Sequence, residues 1–340
     1  MRYCKLTLFI LLVYSSGAGL SAMQDSSAAK FSVSVNLVKV PISIFDESGR
    51  MVTDLRREHF RVWEDKTLQE IRSFGLDTKP VSVVLLLDTS GTEIKDRDKI
   101  KDAAKEFTRI LSHGDRVCVI TFDENINLVQ DWTDDMKAAR KAIDGIRSGN
   151  LTALYDAMYL VAKEQLQNIE GRKAVVLLTD CVNNFSRVNF REASLKIVQS
   201  QASLYVISKT VLIRKEAKKQ RNVIILNDIY KRLFGDEQNY IDEYFDRKET
   251  EMTELAEKTG GRCFFPGDYD EIKKDYSEIA REMKSKYYLT YVSNQDLLPD
   301  TYHQISIEYL KPCSRMTYRK GYYYQPRIEQ RPRVLEPALE

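Results

Sequence analysis

Histidine is scarce in this chain, and cysteine is scattered. The three histidines, His59, His113 and His303, lie far apart in the 340 residues. Of the five cysteines, Cys4 sits in the N-terminal basic segment. Cys118, Cys181, Cys263 and Cys313 form no C-x-x-C pair. A zinc site of histidine or cysteine ligands is therefore not expected. No Cys-His or Ser-His pairing stands out, and there is no P-loop. Excess charge is also lacking. The net charge is +2, and residues 1–22 hold Arg2 and Lys5 but no acid, so the remainder balances. A neutral chain gives no general attraction to nucleic acid or to an anionic membrane. The apolar run Leu6–Tyr14 is too short to span a bilayer comfortably. No internal repeat is visible.

What is present reads as a globular protein behind a leader. With 43% apolar and 30% charged residues, the composition is that of a folded chain. Residues 1–22 have a basic start, an apolar stretch and a small-residue end at Leu20-Ser21-Ala22, the pattern of a cleaved signal peptide. Export permits a disulfide, for which Cys263 and Cys313 are the pair to consider. Cys118 reads as a small core residue.

Residues 31–78 alternate like antiparallel strands. A phase change at Leu37-Val38 suggests a β-bulge. Strands are expected at 31–45, Phe60–Trp63 and Gln69–Gly75. From residue 79 to 286 the pattern becomes α/β. Val81-Ser-Val-Val-Leu-Leu-Leu87 is an unbroken apolar run, as in a strand buried on both faces. Further strands are expected at Arg116–Phe122, Ile126–Trp132 (an edge), Ala174–Leu178, Ser203–Ser208 and Arg262–Phe265. Helices are expected at Asp134–Ile146, Leu154–Leu166, Arg191–Gln201, Glu251–Lys258 and Asp270–Lys286. The fold class is thus α/β, a doubly wound and mostly parallel six-stranded sheet. Residues 211–249 exceed what a minimal βαβ connection needs and read as an insertion. Alternation returns over 287–324, with strands at Tyr287–Val292, Gln304–Leu310 and Met316–Tyr324. The α/β part is expected to be inserted in a small antiparallel β-sandwich-like domain made from 31–78 and 287–324. The tail 325–340 reads as disordered.

Three segments at strand ends carry hard oxygen groups. Asp88, Ser90 and Thr92 follow the first α/β strand. Thr152 precedes the helix that starts at Leu154. Asp180 ends the fourth α/β strand. If the first and fourth strands are neighbours, Asp88 and Asp180 meet at the switch point of the sheet, where open α/β folds bind ligands. Such oxygens suit Mg²⁺, Mn²⁺ or Ca²⁺ rather than Zn²⁺.

The order Asp88-Thr-Ser90-Gly-Thr92, then Thr152, then Asp180, resembles the metal ion-dependent adhesion site (MIDAS) of von Willebrand factor type A domains. The likeness covers about residues 80–286. The flanks resemble a narrower group, the secreted bacterial (acidobacterial-type) von Willebrand-A-related proteins. They do so through the segment from Val35 to Phe74, the segment Leu255-Ala-Glu-Lys-Thr-Gly-Gly-Arg-Cys-Phe-Phe-Pro266 and the closing Arg319-Lys-Gly-Tyr-Tyr-Tyr324. Two positions depart from the family. Thr92 replaces a serine and keeps the hydroxyl. Cys181 stands where glycine is common, at a place that needs care if φ is positive.

The resemblance implies an exported module, periplasmic or at the cell surface. It implies Mg²⁺ (or Mn²⁺ or Ca²⁺) on Asp88, Ser90, Thr92, Thr152 and Asp180, and a partner protein that presents Asp or Glu. It also implies coupling between the metal site and the helix Asp270–Lys286, as in integrin-type relatives. No enzymatic activity is expected. A haloacid-dehalogenase-like hydrolase would need a second Asp where Ser90 stands. A scaffold with a silent metal site is the alternative. Asn150-Leu-Thr152 and Asn184-Phe-Ser186 match the N-glycosylation pattern and are read as chance matches, consistent with the bacterial source that the resemblance implies.

Overall fold

The computed structural model describes residues 36–91, 94–219, 239–295 and 297–325. The leader 1–22, Thr92, the middle of the 211–249 stretch and the tail beyond Gln325 lie outside them.

The α/β part is built on six strands: β5 (Val81–Asp88), β6 (Arg116–Phe122), β7 (Ile126–Thr133), β8 (Arg172–Thr179), β9 (Ser203–Ser208) and β10 (Cys263–Phe264). Their order in the sheet is β10-β9-β8-β5-β6-β7. All neighbours are parallel except β7, an antiparallel edge strand on β6. The continuous apolar run of β5 is explained by its central position. Val83, Leu85 and Leu87 point into one core with helices α1 (Ile94–Ile110) and α2 (Met136–Asp144). Val84 and Leu86 point into the other, with α3 (Leu154–Leu160) and α4 (Phe190–Gln199). Since strand side chains alternate, both faces must be apolar. The helix expected over Leu154–Leu166 is α-helical only to Leu160 and then widens into a π turn, Val161–Gln165. Asp135 caps α2 by accepting from the N–H groups of Lys137 and Ala138.

Among the described residues three more helices belong to the part: α5 (Thr210–Lys219), α6 (Asn239–Lys258) and α7 (Tyr269–Lys284). The helix expected from Glu251 begins twelve residues earlier, at Asn239. The described ends of the 211–249 stretch are therefore continuous with flanking helices. Arg214 on α5 bonds Glu249 on α6 at 2.9 Å and joins them. Helix α6 ends at Gly260-Gly261, where the chain passes so close to β9 that a Cβ on Gly261 would lie 1.9 Å from the Leu204 carbonyl oxygen.

The remaining strands are β1 (Leu37–Phe45), β2 (Phe60–Glu64), β3 (Thr67–Gln69), β4 (Ile71–Leu76), β11 (Tyr287–Val292), β12 (Tyr302–Tyr309), β13 (Arg315–Tyr318) and β14 (Gly321–Tyr323). They form two four-stranded sheets, β13-β1-β11-β4 and β14-β12-β2-β3. Each sheet mixes strands from both ends of the chain. Leu37 pairs with Val292, for example, and Phe60 with Tyr309. Val40, Ile42 and Leu289 from the first sheet share a core with Val62, Ile305 and Ile307 from the second. Two segments expected as single strands are each broken. The chain changes sheet between Gln69 and Ile71, and again between Tyr318 and Gly321. The bulge expected at Leu37-Val38 falls at the margin of the described residues, and pairing from Leu37 inward is in register. Cys263 and Cys313 are both free thiols.

Both passages between the β-sheets and the α/β part converge on Arg172, at the start of β8. Its guanidinium donates to the carbonyls of Asp77 (2.9 Å) and Lys79 (2.6 Å) on the way in, and to the Met283 carbonyl on the way out. The buried Asp77 carboxylate also takes Lys39 of β1 at 2.6 Å. Nearby, the buried Glu282 of α7 accepts from Tyr205 (3.1 Å), Arg262 (2.9 Å) and Thr317 of β13 (3.4 Å). These bonds compensate a charge that would otherwise be expensive to bury.

Two outcomes are expected. Arg172→Met leaves several inward carbonyls without donors and lowers unfolding stability in urea by about 2–4 kcal/mol. An equal midpoint and slope for the variant would refute the clamp. Burial, the largest influence, pushes the Lys286 ammonium down to about 8, while Glu282 pulls the other way. Its folded value then lies below its unfolded one. The cost is full at low pH and fades as pH rises from about 8 to about 10. The stability of the wild type relative to Lys286→Met should rise over that window, as read by urea melts at fixed ionic strength.

Candidate metal centre

The switch point of the sheet lies between β5 and β8, because the chain runs from β5 outward through β6 and β7 and returns on the other side. Leu87 pairs with Leu178 at the ends of these strands, so the residues that follow them are brought side by side. Asp88 is 1% exposed there. Its Oδ1 accepts from the Ser90 N–H (3.0 Å) and the Ser90 hydroxyl (2.5 Å). Its Oδ2 accepts from the Thr179 hydroxyl (3.0 Å) and, at 3.4 Å, from the Asp180 N–H. Four donors thus hold one carboxylate between two strand ends.

The third segment arrives by a close backbone approach. Ser90 and Gly149 form a parallel bridge. A Cβ on Gly149 would stand 2.5 Å from the Asp123 side chain, so only glycine fits. The bridge delivers Thr152, 3% exposed, whose hydroxyl donates to Ser90 Oγ at 2.7 Å. Asn184 fixes Thr152 from behind, accepting its N–H at 2.8 Å. The Asn184 and Phe185 N–H groups in turn donate to the Thr152 carbonyl. Glu124 accepts from the N–H groups of Asn150 and Leu151, which lowers its pKa.

Asp180 follows β8, and its Oδ1 accepts the Val182 N–H at 2.9 Å. Loss of hydration, then the neighbouring Asp88 charge, push its pKa up to about 7, with Lys209 opposing. Cys181 adopts φ +63°, the left-handed region that glycine enters freely. Its buried thiol lies 3.5 Å from the Ser208 hydroxyl, so the side chain is accommodated despite that backbone.

The structure therefore brings Asp88, Ser90, Thr152 and Asp180 together, and Thr92 lies outside the described residues. The donor set is hard oxygen, with hydroxyls alternating with carboxylates. It contains no group of three or more His, Cys, Asp or Glu side chains among the described residues. Such a set fits a small divalent cation that keeps part of its water shell. Thr179, Asn184 and Asp123 frame the site, although sequence reasoning gave none of them that part. Their signal is faint: Thr179 and Asp123 lie at or just past strand ends, and Asn184 in the loop after β8.

Residues 83–183 match the von Willebrand factor type A domain model. The chain carries a von Willebrand factor type A domain. No curated protein matches its sequence. Among solved structures, a von Willebrand factor type A protein from Catenulispora acidiphila is 11% identical, covering 85% of this chain and 72% of its own, with a TM-score of 0.44. An aerotolerance-related membrane protein from Bacteroides fragilis is 15% identical over 59% of this chain and 99% of its own, with a TM-score of 0.41. Proximal thread matrix protein 1 from the mussel byssus, solved with a zinc-occupied MIDAS motif, is 13% identical over 64% of this chain and about half of its own length (49%), with a TM-score of 0.45. At such values these likenesses say nothing of function. No helix among the described residues is long and apolar enough to cross a membrane.

The raised pKa of Asp180 makes the domain's metal-free stability depend on pH. The folded state holds a proton that the unfolded state releases, so stability falls as pH rises from about 4 to about 7. At pH 8 with chelator, Asp180→Asn removes the crowded charge and should melt above the wild type. An equal or lower melting temperature would show that the two carboxylates do not oppose each other.

Proposed function

We propose that this chain is an exported, divalent-metal-dependent protein-binding module and not an enzyme. Asp88, Ser90, Thr152 and Asp180, joined by Thr92, would hold Mg²⁺, or Mn²⁺ or Ca²⁺. A partner protein would offer an Asp or Glu carboxylate to the same place. The observation that carries the reading is the Asp88 carboxylate at the switch point, joined to the Ser90 hydroxyl and through it to Thr152, held by the Asp180 N–H and crowded by the Asp180 charge. Two carboxylates left that close oppose one another, and a cation relieves the opposition. When bound, the ion supplies a Lewis-acidic position for an anionic oxygen.

The chain's own residues do the rest. Thr179 and the Asp180 N–H orient Asp88. Asn184 and the Gly149 bridge hold the Thr152 hydroxyl at Ser90. With hydroxyls filling much of the set, few carboxylates would bind the ion directly, and a position is left for an anion from outside. Ser90 occupies the place a haloacid-dehalogenase-like hydrolase would give to an acid. The domain match over residues 83–183 supports the reading. The leader pattern of residues 1–22 supports export, and the flanking segments support membership of the secreted bacterial group.

Titration of the full chain with Mg²⁺, Mn²⁺ and Ca²⁺, followed by calorimetric heat and melting temperature, tests the proposal. Saturable binding should stabilise the wild type by about 2.7 kcal/mol at a hundredfold excess over Kd. Asp88→Ala and Ser90→Ala should lose the effect while keeping the far-ultraviolet dichroism of the wild type. No heat at millimolar metal would sink the metal reading and favour a scaffold.

A further inference from the structure

One buried cation stands at the rim of this centre without a part in its frame. Lys209 directly follows β9, whose last residue, Ser208, pairs with Thr179. Its N–H donates to the Thr179 carbonyl at 2.8 Å, so it sits across from Asp180 at the strand tips. Lys209 is only 6% exposed. Lysine is seldom buried unless something repays its lost hydration. Its charge acts on Asp180 through space, with no hydrogen bond between them. An ammonium has therefore been brought into a place where the strand ends already gather two carboxylates.

We infer that Lys209 is a built-in counter-cation that trades metal affinity for anion affinity at this centre. The inference rests on the metal reading given above. With Asp88 and Asp180 ionised, the two carboxylates and Lys209 sum to one negative charge. A divalent ion then leaves one net positive charge. Without Lys209 the same site would begin at two negative charges and end neutral. Coulomb's law over several ångströms of partly dry protein makes that difference matter. Lys209 repels the entering metal, and afterwards it adds to the pull on a carboxylate from outside. The metal-free site is also left less strained, because the two acids have a cation within reach. In this reading Lys209 sets the preference for an acidic partner without touching the metal.

The test compares full-length wild type, Lys209→Gln, Lys209→Met and Lys209→Arg, using Mn²⁺ alone and then acetate on the Mn²⁺-loaded protein. Calorimetry should show Mn²⁺ binding about tenfold tighter in the Gln and Met variants, and acetate binding several-fold weaker. The Arg variant, which keeps the charge, should stay near the wild type. In chelator, the two neutral variants should melt below it. Folding is checked by dichroism, and the Met variant serves if the Gln variant fails to fold. Unchanged Mn²⁺ affinity in a folded neutral variant, with the wild type binding, overturns the inference and leaves the metal reading intact. If neither wild type nor neutral variants bind Mn²⁺, the metal reading falls and takes the inference with it. Binding by the neutral variants alone would support Lys209 as the group that silences the site.

Discussion

The placement of Asp88 constrains everything around it. A carboxylate that is 1% exposed needs donors from the protein, and it receives them from two places in the chain. Ser90 supplies a main-chain and a side-chain donor from the loop just beyond β5, and Thr179 and Asp180 supply theirs from the end of β8. The second set would be out of reach unless β5 and β8 were neighbours. That adjacency in turn requires the chain to go out through β6 and β7 before it returns. The switch in strand order is therefore what makes the carboxylate tolerable, and the same switch is what makes the centre. Lys209, at the end of the next strand along, belongs to the same geometric consequence.

The far end of the sheet has a different logic. There the α/β part meets the antiparallel sheets through buried charge rather than apolar contact alone. Arg172 holds both passages, and Glu282 ties α7 to β9, to Arg262 and to β13. Paired and hydrogen-bonded ions of this kind add little net stability compared with an apolar contact of similar size, but breaking one member is costly. Such a junction resists partial separation. Helix α7 is thus gripped at its C-terminal turn, and any movement of it would be felt in β11 and β13.

Much of this was legible in the residues. The apolar runs at Val81, Ala174 and Ser203 mark strands that can lie only inside a two-faced sheet, and the acids and hydroxyls after them fall where the switch point must be. Asp88, Ser90, Thr152 and Asp180 meet as their positions suggested. The alternation of residues 31–78 and 287–324 indicated sheets but not the changes of sheet at Glu70 and at Arg319-Lys320. A period of two continues through such a corner, so nothing in the pattern announces it. The early start of α6 was hidden because its first turns are rich in acids, and from Asp242 to Glu249 only Phe245 is buried. Lys209 was hidden for a related reason. A lysine after an apolar strand reads as the first residue of a loop, and only the depth of the strand tip makes it a buried charge.

The pairing of Leu37 with Val292 has a consequence in time. The strand that opens the β part leaves the ribosome long before either of its neighbours in the sheet, β11 and β13. At common elongation rates, about 10–50 s separate them. Throughout that interval β1 has two unsatisfied edges and an apolar face with nothing to cover it. The α/β part, whose contacts are closer in sequence, can fold in the meantime and bring residues 77–79 and 283–287 together. Each nascent chain is thus most vulnerable to mispairing with another copy just before β11 emerges. A truncation near residue 286 would make that transient exposure permanent.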